Sequence, residues 1–440
     1  MNDAEATLGQ EPPLISTRPP GEHSRSFLLR HAHATAPMGP KKNPGDRPSG
    51  IVYASALGSN VVDVDGNRYV DLAAGFGAEL LGHRHPAILR ALSLESGRLL
   101  HALGDLYPSD AKVGLVERIV RLYPEPSARV IVAQSGSDAV SAALKTAALF
   151  TGRPGVLAFG AAYHGLGYGP LAALGLRASY RSPFAEQLNP HVASVPYPDS
   201  TAALAETLAA ARTALSNGAI GAVLIEPILG RGGVIVPPSG FLRELQTLAS
   251  EHGAVLIADE VWTGLGRSGS LLRAVDEGVT PELVCLGKGL GGGLPISAVI
   301  GKNEVMRAWE RDDEVVHTST FAGMPLACAT ALATLDTIGR ERLVQRSATV
   351  GAAFKAELAA GLAAVSGVSV RGEGLMLGVD LGAGAHAAVR VVRRLLERGF
   401  IATTGGGQRE VLVLTPPLNI AESLLALAVA AVVDVVRAGP

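Results

Sequence analysis

Residues 254–260 read AVLIADE and residues 283–293 read LVCLGKGLGGG. Each is a short apolar run without polar alternation. The first stops at an acid pair, the second at a lysine one glycine further on. Runs of this kind suit strands buried on both faces, the condition inside a parallel sheet. Working outward, four more runs have the same character: Val130–Ala133, Val156–Phe159, Ala222–Ile225 and Ala298–Ile300. Helical stretches at Ser137–Phe150, Ser200–Ser216 and Phe241–His252 lie between several of them. Strand–helix alternation predicts an α/β domain with a mostly parallel central sheet flanked by helices.

That domain is placed at residues 71–325. Residues 326–440 change pattern: RGEGLMLGVDLG from 371, a helix around Ala387–Arg398, the strand VLVLTPP from 411 and a helix over Ala421–Val436. They read as a smaller α+β domain, to which the N-terminal segment 49–70 adds. Residues 1–48 are polar and carry Pro12, Pro13, Pro19, Pro20, Pro37, Pro40, Pro44 and Pro48, and read as an extended or partly disordered arm.

Composition narrows the function. Lys+Arg total 38 and Asp+Glu 40, a net charge of -2, so there is no electrostatic reason to expect nucleic acid as a partner. The longest apolar run, Leu424–Val433, is too short to span a bilayer, and the N-terminus has neither the basic nor the apolar region of a signal peptide. Cys285 and Cys328 are no disulfide framework and are expected as buried thiols in a reducing compartment. A cytoplasmic enzyme without membrane association is the expectation.

Three places carry chemistry. After ARVIVA (128–133), Ser135, Gly136 and Ser137 open a helix whose free N–H groups form an anion site. A plain N-cap is the bland reading of the same residues. Asp259 and Glu260 end a buried strand, where a carboxylate faces the cleft of an open α/β sheet and could hold a proton on a ring nitrogen, bind a metal or cap a loop. Lys288 ends another strand among glycines. It is either a nucleophilic amine of lowered pKa or a snorkelling surface lysine. The three together, on one domain, are what pyridoxal phosphate requires: an amine for its aldehyde, a carboxylate for its ring nitrogen, N–H donors for its phosphate. Two decoys carry less. GLGRSG from 264 does not directly follow its strand, and the pairs His31/His33 and His83/His85 lack a third ligand, so no dinucleotide or metal site is expected.

The sequence resembles the class III aminotransferases, the omega-type group of fold type I pyridoxal phosphate enzymes, from Val62 to Leu418. DVDGNRYVD from 63 resembles the family's opening hairpin, LGHRHP from 81 its LGHxHP loop, and SGSDAV from 135 its phosphate loop. Tyr163-His164-Gly165, AVLIEPILGRGG from 222, LIADEVWTGLGRSG from 256, LGKGLGGGLP from 286 and TSTFAGMP from 318 resemble further family stretches. The resemblance implies pyridoxal 5'-phosphate bound covalently to Lys288, which would also shuttle the proton. It implies Asp259 on the ring nitrogen, Tyr163 and Val261 on the two ring faces, and Ser135, Gly136 and Ser137 at the phosphate. It places His164, Glu226 and Trp262 around the cofactor. Thr320 would reach the phosphate of the neighbouring subunit, which implies a homodimer with shared sites.

Three positions depart from the amino-acid-specific members. The arginine that binds substrate carboxylate is replaced by Val413. Its family partner, the Glu of EP, is kept as Glu226. The arginine after HG is Leu166, and the glutamine of DEVQ is Trp262. Nothing apolar replaces a bidentate arginine. One substrate, the amine donor or the carbonyl acceptor, is therefore expected to lack the usual carboxylate, and Glu226 could accept a substrate ammonium. The alternative is that Arg231, Arg409 or Arg371 reaches in from another side. An aminomutase or epimerase of the same fold stays open beside the aminotransferase at this point.

Overall fold

A computed structural model describes residues 9–38, 50–312, 314–382 and 384–439. The six apolar runs all form strands, and a seventh joins them. In chain order they are β1 (Arg129–Ala133), β2 (Gly155–Phe159), β3 (Val192–Val195), β4 (Ile220–Ile225), β5 (Val255–Asp259), β6 (Leu283–Leu286) and β7 (Ser297–Gly301). They lie side by side as β1-β7-β6-β5-β4-β2-β3. β7 is antiparallel to both its neighbours; the other four pairings are parallel. A short glycine-rich connection without a crossover helix joins β6 to β7, too little chain for a parallel return. β1 to β6 therefore share one direction, and their C-terminal ends share one edge.

Burial explains the missing alternation. Every residue of β2, β4, β5, β6 and β7 is buried, whereas the edge strands β1 and β3 are partly open. The helix Gly136–Thr151 lies on one face through Ala139, Val140, Ala142, Ala143 and Ala147, packed among Ala158, Leu224, Ile257 and Cys285. These small side chains let the helix approach the sheet closely. Phe241–Glu251 covers the other face with Phe241, Leu242, Leu245 and Leu248. Both cysteines are buried free thiols.

Two smaller sheets stand beside this one. Ser369–Glu373, Met376–Asp380, Val411–Leu414 and Thr403–Gly405 form an antiparallel sheet. Tyr53–Leu57, Asn60–Asp63 and Arg68–Asp71 form a meander that Phe400–Ile401 joins in parallel, so N- and C-terminal parts share a sheet. The arm is not extended throughout: Glu22–Ala34 form a helix, and Leu14 bridges Arg68. The prolines flank that helix at 20 and 37 and leave its interior free of them, which a count over the whole arm conceals. The remainder of the arm, 1–8 and 39–48, lies outside the described residues. Among the described residues no helix is long and apolar enough to cross a membrane.

Candidate active site

The common edge of β1 to β6 collects the chemistry. Ser135 and Gly136 follow β1, Tyr163 and His164 lie in the loop after β2, Glu226 follows β4, Asp259 is the last residue of β5, and Lys288 stands two residues beyond β6. Gly136, Ser137, Tyr163, His164, Gly165, Glu226, Asp259, Val261, Trp262 and Lys288 line one cavity of ≈ 180 Å³. Such placement follows from backbone direction: strand C-termini open into loops free to carry polar groups, while the strands themselves stay apolar.

The anion end is built first. Ser135 caps the helix Gly136–Thr151, its Oγ accepting from Asp138 N–H at 3.2 Å while Asp138 Oδ2 accepts from Ser135 N–H at 3.1 Å. Ser297 Oγ donates to the Ser135 carbonyl at 2.6 Å. Ser135 is thus spent on holding the helix end, and it is not part of the cavity wall. The next groups, Gly136 and Ser137, are. A Cβ on Gly136 would lie 2.8 Å from Val261 Cγ1, so only glycine admits backbone this close to Val261. Ser137 Oγ accepts from Gly167 N–H at 3.0 Å, leaving its proton to donate elsewhere.

Deeper in, Asp259 Oδ2 lies 2.8 Å from His164 Nδ1, and Oδ1 accepts from Val261 N–H at 3.2 Å. The His164 side chain is fully buried, and its Nε2 has no partner. Glu226 is held by two N–H groups, from Tyr163 to Oε1 at 2.7 Å and from Gly230 to Oε2 at 3.0 Å. Burial raises its pKa, against the pull of His164. It pins the Tyr163 and Gly230 loops together, and its two oxygens are already occupied, unlike the freed carboxylate expected from the sequence.

Lys288 sits at φ 40°, in the left-handed region, a strain of roughly 1–2 kcal/mol for a residue with a Cβ. Its Nζ lies over the Trp262 ring, 4.0 Å from the centroid. Burial lowers its pKa to about 8; Asp259 and Glu226 oppose that shift, and Arg231 and Arg267 reinforce it. An amine near neutrality, a buried carboxylate and a helix N-terminus on one cavity fit an aldehyde-bearing, protonatable, phosphorylated ring.

Thr320 is exposed and away from this cavity, on the loop where Ser319 Oγ accepts from Gln134 Nε2 at 2.9 Å. A larger recess of ≈ 680 Å³ opens along β1, between Lys112, Asp138, Trp309 and Thr318, and holds neither Asp259 nor Lys288. Sequence reasoning missed the glycines that shape the cavity: a Cβ on Gly77 would lie 2.6 Å from Trp262 Nε1, and one on Gly230 2.4 Å from Trp262 Cε3. It missed Ser297 as well. Only spatial neighbours reveal these roles. Of the expected metal decoys, His83 pairs with Asp71 at 2.9 Å and His85 caps Pro86–Ser96.

Residues 42–436 match the family Aminotransferase class-III. Acetylornithine aminotransferase of Methanopyrus kandleri is 38% identical over 388 residues, 88% of this chain and 95% of that protein. The ornithine aminotransferase of Toxoplasma gondii has a TM-score of 0.83 at 28% identity, covering 94% of each chain. A PLP-bound amine transaminase from an uncultivated Pseudomonas species has a TM-score of 0.85 at 29% identity, covering 92% of this chain and 98% of that one. The chain belongs to the class III aminotransferases, and it is a pyridoxal 5'-phosphate-dependent aminotransferase of fold type I.

Proposed function

We propose that the enzyme passes an amino group between two partners by a ping-pong route, and that one partner is an amine, aldehyde or ketone lacking the carboxylate held by the usual family arginine. The observation that carries this is Val413. It is buried in an apolar cluster with Ile228, Val234, Trp262, Met376 and Val411. An apolar cluster of this kind offers a carboxylate no cation in place of the usual arginine. Leu166, half exposed, adds no cation. The relatives' names point to acetylornithine and ornithine; these two positions argue against taking over such a substrate with the usual contacts. The relatives are aminotransferases, so the aminomutase or epimerase alternative is not favoured.

When bound, pyridoxal 5'-phosphate supplies an aldehyde that takes up the amino group and a ring that spreads negative charge. The chain's own groups would do the rest. Lys288 would hold the cofactor covalently and, once displaced, carry a proton between the substrate carbon and the cofactor C4′. Asp259, oriented by His164, would keep a proton on the ring nitrogen. Gly136 and Ser137 would donate to the phosphate, with Ser135 fixing their helix. Val261 and Tyr163 would sandwich the ring, and Trp262 would close the substrate side.

The same reading includes a homodimer with shared sites, in the cytoplasm. Leu99, Leu100, Leu103, Leu106 and Tyr107 are exposed, as are Val315, Val316 and Phe321, and the His101 and Phe321 rings meet at 5.3 Å. An apolar surface of this extent needs cover, and Thr320 stands on it, available to a second subunit. Buried thiols support a reducing compartment. We divide the chain at 48, 70 and 325; the separate sheets support the later two divisions.

The test is a half-reaction screen. Loaded enzyme is mixed with single amines, and conversion of the cofactor absorption band is followed. Monoamines are expected to convert the band. A response confined to dicarboxylic amino acids would overturn the substrate reading.

A further inference from the structure

In a ping-pong exchange the second partner must use the same cavity. That cavity has lost the usual carboxylate arginine but gains another cation at its edge. The Arg231 guanidinium stands over the Tyr163 ring, 4.6 Å from its centroid, and Tyr163 is cavity wall. It is partly open to solvent, and among the described residues it forms no ion pair. The two acids of the wall are engaged elsewhere: Glu226 accepts two backbone N–H groups, and Asp259 meets His164 and Val261 N–H.

The loop fixes where that guanidinium stands. Glu226 holds Gly230 N–H, and Gly406 N–H donates to the Arg231 carbonyl at 2.9 Å. Gly230 cannot gain a side chain without striking Trp262. The neighbouring arginines are committed. Arg371 donates to Asp380 Oδ2 at 2.9 Å and to the Gly233 carbonyl at 2.8 Å. Arg177 donates to the carbonyls of Gly406 and Gly407. Arg267 gives Nη1 to the carbonyls of Leu375 and Pro416; its Nε and Nη2 are unpaired, but the side chain is fully buried, away from the cavity wall. Arg409 is exposed and, unlike Arg231, is not seated on a ring of the cavity wall. Arg231 is thus the solvent-reached cation with donors to spare beside the reacting lysine, whose pKa it helps to lower.

We propose that Arg231 binds the carboxylate of the second, carboxylate-bearing partner, an amino acid or its oxo acid, at the Tyr163 side of the cavity. This rests on the aminotransferase reading above and gives the carboxylate-bearing partner a cation that the carboxylate-free one does not need. Guanidinium on an aromatic face is already oriented and partly desolvated, which favours a forked carboxylate contact.

The experiment measures binding as well as rate. Glutarate, a dicarboxylate that cannot donate an amine, is titrated into loaded enzyme, with its neutral diamide as control. Wild type is expected to bind glutarate in a salt-sensitive manner and the diamide far less. Arg231→Gln is expected to weaken glutarate binding about tenfold or more and to raise KM for a carboxylate-bearing substrate more than it lowers kcat. Arg231→Lys keeps the charge without the fork and is expected to fall between the two. Arg409→Ala is expected to behave as wild type. An unchanged cofactor absorption band in Arg231→Gln separates loss of binding from damage to the site; the salt dependence of wild type serves if that variant does not load. The assignment is overturned if Arg231→Gln binds glutarate as tightly as wild type, or if wild type shows no saturable, salt-sensitive binding. If no amine or amino acid converts the cofactor band, the underlying reading fails instead, whatever glutarate does.

Discussion

The two ends of the cavity are built differently. At the end that holds Ser135 and Asp259, side chains are secured from behind: Ser135 by Asp138 and Ser297, Asp259 by His164 and Val261. At the opposite end, Trp262 Nε1 has no partner and Arg231 no counter-ion among the described residues. The first is largely preorganised, with its helix cap and its carboxylate bonded in advance and only His164 Nε2 and the Ser137 proton left over. The second keeps unspent donors and an apolar wall, which is what a site needs when it must receive two unlike partners in turn. With the roles proposed above, rigid support would sit where the chemistry is constant, and spare valence where the molecules change.

This contrast can be broken most severely at the constant end. With the roles proposed above, Lys288→Ala removes both the covalent anchor and the proton carrier, and turnover is expected to fall by at least about 10³-fold; stopped-flow measurement of the half-reaction checks it. Asp259→Asn keeps the shape and removes the charge that holds the ring proton. A loss of about 10²–10³-fold in kcat is expected, with the melting temperature within a few degrees of wild type. A third test uses pH. Because burial puts the Lys288 amine near a pKa of about 8, the nucleophilic neutral form grows as pH rises through that value. Reloading of apoenzyme with the aldehyde cofactor is expected to slow about tenfold per unit below that midpoint, and a midpoint near 10 would mean that the amine is not desolvated. The smallest effect is at the variable end. Gly230→Ala puts a Cβ 2.4 Å from Trp262 Cε3, which is expected to cost about 1–3 kcal/mol in a denaturant melt and to alter substrate KM more than cofactor affinity.

The same division decided what the sequence could disclose. Buried strands announce themselves as apolar runs, and the residue that breaks each run is the one at the sheet edge; Asp259 and Lys288 are legible for that reason. Val413 and Leu166 were legible as departures from a family pattern. Trp262 reads in sequence only as a replaced glutamine; its seat between Gly77 and Gly230 brings together residues some 150 positions apart, and no local rule encodes that. Arg231 has a similar history. Its chain neighbours identify a loop, but only the Tyr163 ring beneath it gives the guanidinium a direction. The helix Glu22–Ala34 escaped because prolines at both borders dominated the reading of the arm.

Trp262 has one more consequence. The chain has only two tryptophans, and the other, Trp309, is bonded through Nε1 to Thr146 Oγ1 at 2.9 Å, outside the cavity wall. One of the two native fluorophores is therefore built into the chamber itself, with a lysine nitrogen 4.0 Å above its indole. A near-ultraviolet chromophore arriving there would drain about half of the protein's emission, so the molecule carries its own optical gauge of loading.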